Sequence, residues 1–256
     1  DRMAQMELLA AFAIGLIFGS FLNVLTYRIP LGISLFNPIG SECPHCQHKI
    51  KWYENIPVIS YVFLKGKCSN CSERISIIYP VVELTTGVVT VLLYNHQWLD
   101  LDLILTIVLF YTLIVLSFID FKFKAVPDYL LIVVVILTLM VGDWKNALIF
   151  MGGFVLLELI LTFYIQTIKA KITKNKELEN QRALGEGDIP IAGAIGGLLG
   201  IHLGISAIFL AAILALIPAV YGLMVKKEIE TPFIPFLSLG LFITLITGFN
   251  LFTLIV

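Results

Sequence analysis

The chain has 256 residues, of which 59% are hydrophobic and only 14% charged, with a mean hydropathy of +0.96. That is more apolar surface than one soluble core of this length can bury, so lipid must serve as solvent for much of it. The formal net charge of -1 gives no sign of a nucleic-acid partner, and the information lies in where the charges fall.

Taken in chain order, polar residues Asp1 to Gln5 lead into the apolar run Met6–Tyr27, which has no small-residue cleavage site after it and reads as a retained span. A bilayer core needs roughly 20 apolar residues in a helix. Eight candidates follow: about 6–27, 78–94, 101–119, 129–142, 146–166, 189–204, 205–225 and 233–255. The expected fold is an all-α integral membrane bundle of about eight helices. If all eight cross, 15 of the 17 Lys and Arg residues lie on one side, with only Arg2 and Lys145 opposite. The positive-inside rule makes that side cytoplasmic.

Residues 28–77 are polar and Pro-containing, and read as a small cytoplasmic domain inserted after the first span. The division predicted is 1–27 as first span, 28–77 as inserted domain and 78–256 as the remaining bundle. The stretch KAKITKNKELENQR at 169–182 reads as a solvated connection.

All four cysteines lie in the inserted domain, as Cys43-x-x-Cys46 and Cys68-x-x-Cys71. Two such pairs suit a structural tetrahedral zinc that closes a domain too small to fold on a hydrophobic core. The alternatives are two disulfides, disfavoured in a reducing cytoplasm, or four unliganded thiols. His45 and His48 lie near the first pair but read as surface residues, since four thiols complete the shell.

Ionisable groups at the edge of a span are costly and therefore candidates for function. Here they are Glu83, Asp120, Asp128, Glu158 and Asp188. Asp120 and Asp188 both fall at cytoplasmic ends of spans, where packing can bring two carboxylates together to share a proton, one serving as base to water and one as acid to a carbonyl. The alternative is that Asp188 caps a helix and Asp120 is a solvated end. Gly185 and Gly187 leave room for a peptide beside Asp188. Gly193, Gly196, Gly197, Gly200 and Gly204 supply small-xxx-small pairs for close helix packing, which a carboxylate pair requires.

An ordered set of motifs resembles the bacterial type IV prepilin peptidases over nearly the whole chain: GSFLNVLTYRIP at 19–30, the paired cysteines, NIPVISY at 55–61, LKGKC at 64–68, ISIIYPVVEL at 75–84, IDFKFKAVPD at 119–128, GEGD at 185–188 and PFIPFLSLG at 232–240. The resemblance implies a membrane aspartic protease whose catalytic pair is Asp120 and Asp188. It would cut prepilins or pseudopilins after a leader Gly at the cytoplasmic face of the bacterial inner membrane. It further implies S-adenosylmethionine-dependent methylation of the new amino terminus, although 28–77 contains no Gly-rich nucleotide turn and no residues for that cofactor are assigned. Pilus or secretion machinery would be the wider partner. Two departures stand out: Pro190 where the family commonly has Lys, and Ile234 where Gly is common between the two prolines. The rival readings are another GxGD protease of the presenilin kind, whose YD motif is here Ile119-Asp120, and a non-enzymatic scaffold whose zinc domain docks an ATPase.

Overall fold

The computed structural model describes residues 2–35, 40–96, 100–173, 184–222, 224 and 231–254. Among these residues the chain is helical with no strand, apart from isolated bridges pairing Glu42 with Lys49 and Lys67 with Arg74. Most of the 169–182 connection lies outside the described residues. The chain divides into two compact units, Asp1–Ile119 and Asp120–Val256.

In the first unit, α1 (Arg2–Arg28) packs along α3 (Ile78–Tyr94), and α4 (Asp100–Phe123) begins. The contact between α1 and α3 is backbone-close. A Cβ on Gly15 would lie 2.7 Å from Gly87 Cα, and one on Gly19 2.7 Å from Glu83 Cα. Gly15 and Gly19 form a GxxxG stripe, which lets helices associate where lipid provides no hydrophobic drive. Thr90 Oγ1 and the Tyr111 hydroxyl, 2.7 Å apart and buried, fasten α3 to α4. Between α1 and α3 lies the cysteine-bearing segment, which contains a 3-10 turn (Trp52–Asn55) and the short α2 (Ile59–Phe63).

The second unit holds α5 (Asp128–Val141), α6 (Trp144–Phe163), a π-helical turn (Tyr164–Lys169) leading to α7 (Ala170–Thr173), α8 (Asp188–Tyr221) and α9 (Ile234–Thr247). The 34 residues of α8 would reach about 51 Å as a straight helix, but Gly200, at φ 69 and ψ −170, breaks it. Cβ atoms built on Gly196 and Gly204 would both come within 2.5 Å of the Phe150 ring. Eight residues of straight helix rise about 12 Å, so the chain must turn at Gly200 for one ring to meet both. The predicted boundary between the sixth and seventh spans, at 204/205, therefore falls a few residues late. With α8 counted as two segments, the apolar helices number eight among the described residues. Asp143 caps α6 by accepting from Lys145 N at 2.8 Å, and its own N–H donates to Gly197 O at 2.9 Å, joining the α5–α6 turn to α8.

Among the described residues four helical segments are long and apolar enough to cross a bilayer, and α3, α5 and α9 are shorter apolar helices. The last is shorter than the expected 233–255. Gly248, in the left-handed conformation at φ 65, ends it, its N–H donating to Thr244 O at 2.9 Å. The chain then forms a 3-10 turn (Leu251–Leu254), tied down by Leu251 N donating to Ser206 Oγ at 2.9 Å. Many large apolar side chains face outward, among them Leu156 and Ile160 on α6, as lipid contact demands. The protein is a multi-pass membrane protein.

Candidate active site and metal centre

Asp120 lies near the end of α4 and Asp188 opens α8; they are 8% and 4% exposed. Asp120 Oδ2 accepts the N–H of Ile234 at 3.2 Å, and the Phe233 N–H also reaches its carboxylate. This follows from local sequence. Pro235 has no N–H, so Phe233 and Ile234 are left to donate at the start of α9, where unpaired amides and the helix dipole favour an anion.

The GEGD turn holds Asp188 in a comparable way. Its Oδ2 accepts from Gly185 N at 3.1 Å while its own N–H donates to Gly185 O at 3.1 Å. A Cβ on Gly187 would lie 2.8 Å from Val126 Cγ2 and 2.9 Å from Ile234 Cδ1. Ile234 thus bridges the two motifs, its N–H on Asp120 and its side chain against the residue before Asp188. The carboxylates act on each other electrostatically. A buried pair of this kind, each oxygen set oriented by backbone N–H groups, can hold and polarise a water molecule.

Asp128 is exposed in the first turn of α5, and Glu158 accepts from Thr162 Oγ1 at 3.4 Å on α6. Glu83 lies in the first unit. In the sequence Ile234 stands out only as a departure from a motif. A backbone donor leaves no side-chain signature, and the two flanking prolines were the available sign.

In the inserted segment the two Cys pairs form repeated knuckles. The N–H of Gln47 donates to Cys43 O and that of Ser72 to Cys68 O; Cys43 N donates to His48 O and Cys68 N to Glu73 O. Gln47 and Ser72 take left-handed φ values of 58 and 60. Each knuckle turns backbone N–H groups onto sulfur. The His48 N–H, then the Asn70 side chain, pull the Cys46 thiol down to about 6. N–H groups of Cys71 and Asn70 lower Cys68 as well.

The four ligand atoms lie within 4.8 Å of one another, with Cys43 to Cys71 and Cys46 to Cys68 each 3.9 Å apart. Four thiolates at 2.3 Å around a tetrahedral ion would stand about 3.8 Å apart. The cluster therefore fits a four-sulfur metal site, and all four cysteines are free of disulfides. His45 and His48 are not part of the cluster.

Residues 13–97 match the Bacterial Peptidase A24 N-terminal domain, and residues 107–220 match the Type IV leader peptidase family. A prepilin leader peptidase/N-methyltransferase of Vibrio cholerae is 32% identical over 228 residues, covering 84% of this chain and 86% of the relative. The chain belongs to the type IV leader peptidase family. Its likeness to the family runs nearly end to end. The prepilin leader peptidase/N-methyltransferase of Dichelobacter nodosus is 31% identical over 94% of this chain and 92% of its own. The type 4 prepilin-like proteins leader peptide-processing enzyme of Escherichia coli is 33% identical over 93% and 92%. No solved structure matches. The family's N-terminal match contains the cysteine cluster, and its second match contains both buried aspartates.

Proposed function

We propose that this protein is a prepilin leader peptidase and N-methyltransferase whose peptide-cutting centre is Asp120 with Asp188. The observation that supports the assignment is Ile234, whose N–H donates to the buried Asp120 while its side chain lies against Gly187, the residue before the buried Asp188. One carboxylate takes a proton from water as the oxygen attacks the scissile carbonyl, and the other gives its proton to the carbonyl oxygen. Collapse of the tetrahedral intermediate expels the amine, which leaves with a proton from the pair. The N–H groups of Ile234 and Gly185 fix which oxygens face the substrate. The Ile119-Asp120 sequence and the family match favour this over a presenilin-like activity.

The substrates are prepilins or pseudopilins. The 15 cations predicted on one side support a cytoplasmic location for the dyad and the cysteine module, in the inner membrane of a bacterium. There a leader peptide stays in water while the apolar helix behind the cut stays in lipid. The functional division is 1–27 and 28–77 for the first span and cysteine module, with 78–256 carrying the peptidase. Cys43, Cys46, Cys68 and Cys71 would hold zinc, a closed four-thiolate shell whose service is structural. S-adenosylmethionine would supply the methyl group, and pilus or secretion machinery would receive the product.

Purified protein incubated with a prepilin and methyl-labelled S-adenosylmethionine should release the leader and label the new amino terminus. An Asp120→Ala variant that inserts normally yet still cleaves would contradict the peptidase assignment, and wild-type protein that cleaves without labelling would contradict the methyltransferase half.

A further inference from the structure

The first unit contains a cavity of about 660 Å³ between the cysteine module and the facing ends of α1 and α3. Its size falls within the roughly 300–1,000 Å³ of small-molecule sites. Ser20, Asn23, Tyr79 and Glu83 line it from the helices, and Cys43 and Cys68 line it from the cysteine module. Glu83 is 7% exposed, and peptide cleavage as described above makes no use of it.

Its carboxylate is held in one orientation. Oε2 accepts the N–H of Val58 at 2.7 Å, and the side chains of Ser20 and Asn23 also bond to it. Asn23 is fixed in turn by donating to Tyr79 O at 3.0 Å. Val58 makes its bond from φ 60 and ψ −48, a conformation a β-branched residue rarely adopts. Such strain persists where surrounding structure enforces it. On the far side of Glu83, Gly19 admits the α1 backbone against its Cα. The hydrogen-bond donors to the carboxylate are all neutral, so its charge is free to attract a cationic ligand; Arg28, Arg74, His45 and His48 also line the cavity but are not among those donors.

We infer that Glu83 binds the α-ammonium of the newly cut peptide in this cavity and takes its proton for methyl transfer. The inference rests on the methyltransferase reading above. An α-ammonium titrates near 7.7–8.0 and is mostly protonated, hence not nucleophilic, at neutral pH. Glu83 accepts one proton; the freed nitrogen lone pair then bonds to the methyl carbon of the sulfonium donor as the C–S bond breaks and its electron pair stays on sulfur. The product ammonium, now secondary, keeps the two protons left on nitrogen. The cysteine module contributes to the lining of this cavity, so a metal held there would order part of its wall.

The test uses full-length protein and a mature pilin peptide with a free amino terminus, which makes methylation independent of cleavage. Glu83→Gln should lower methyl transfer about a hundredfold at pH 7, the scale of a lost general base. The deficit should narrow above pH 8, where the amine deprotonates unaided, while prepilin cleavage falls far less. A pH-independent deficit, or methylation within twofold of wild type, would overturn the inference while leaving the methyltransferase reading intact; wild-type protein that methylates nothing would overturn both. Wild-type protein also permits a test without any substitution. The same peptide with a photoreactive first residue should crosslink to Ser20, Asn23 or Tyr79, and crosslinks confined to residues 120–256 would refute the assignment.

Discussion

The N–H of Ile234 donates to Asp120 Oδ2 at 3.2 Å, while the Ile234 side chain lies against the Gly187 position, one residue before Asp188. One residue at the start of α9 therefore ties both halves of the carboxylate pair together. Hydrogen bonds to charged groups contribute roughly 1.5–3 kcal/mol. Ile234→Pro, which removes the donor, should slow cleavage about ten- to a hundredfold by that measure, whereas Ile234→Ala keeps the N–H and should slow it less. Equal rates in the two variants would show that the backbone bond does not orient Asp120.

Helix spacing under the site is set by glycine. A Cβ at Gly196 would stand 2.6 Å from the Asn146 carbonyl oxygen, a backbone atom that cannot step aside without moving α6. Gly196→Ala should destabilise the second unit by about 1–3 kcal/mol, as overpacking commonly does. Thermal unfolding in detergent should start at lower temperature and cleavage should fall with it. Unchanged stability would mean that α6 and α8 have slack at this contact.

Loss of the metal should separate the two activities. Elemental analysis should find about one zinc per chain, and the Cys43→Ser, Cys46→Ser double variant should lack it. Methylation should then fall more than cleavage, because the cysteine module has little besides the ion to order it, whereas the dyad is held by packed apolar helices. Cleavage lost with methylation retained would reverse the roles given to the two regions.

Acid should release the same metal. The Cys46 thiol is lowered from 9.0 to about 6 in the folded chain, so its thiolate is favoured above that pH and is lost as pH falls through it. Protons compete with the metal for the thiolates, and the bound ion itself favours the thiolate, so zinc retention followed by a chromogenic chelator should be full at neutral pH and decline on acidification only below about 6. Retention undiminished well into the acid range would mean that the thiolates are not the ligands.

Much of this architecture was legible in residue order. Apolar runs marked α1, α3, α4 and α6, the cysteine spacing anticipated the converging sulfurs, and the glycines after Asp188 anticipated the contact with Phe150 and Met151. The end of α9 was not legible, because apolar residues continue past Gly248 and hydropathy carries no record of a left-handed cap. The GxxxG stripe at Gly15 and Gly19 was present in the sequence, but its partner surface on α3 emerges only from packing. The grip of Val58 on Glu83 depends on backbone conformation, which no periodicity encodes.

The central claim is that Asp120 and Asp188 act as one unit, and single-turnover cleavage of a prepilin by Asp120→Asn, Asp188→Asn and the double variant tests it most directly. Residues that share one chemical step are strongly non-additive. Each single variant should lose cleavage by roughly 10⁴-fold or more while inserting normally, and the double variant should be about as slow as either one. Cleavage within tenfold of wild type in either single variant, or losses that multiply in the double, would contradict the account.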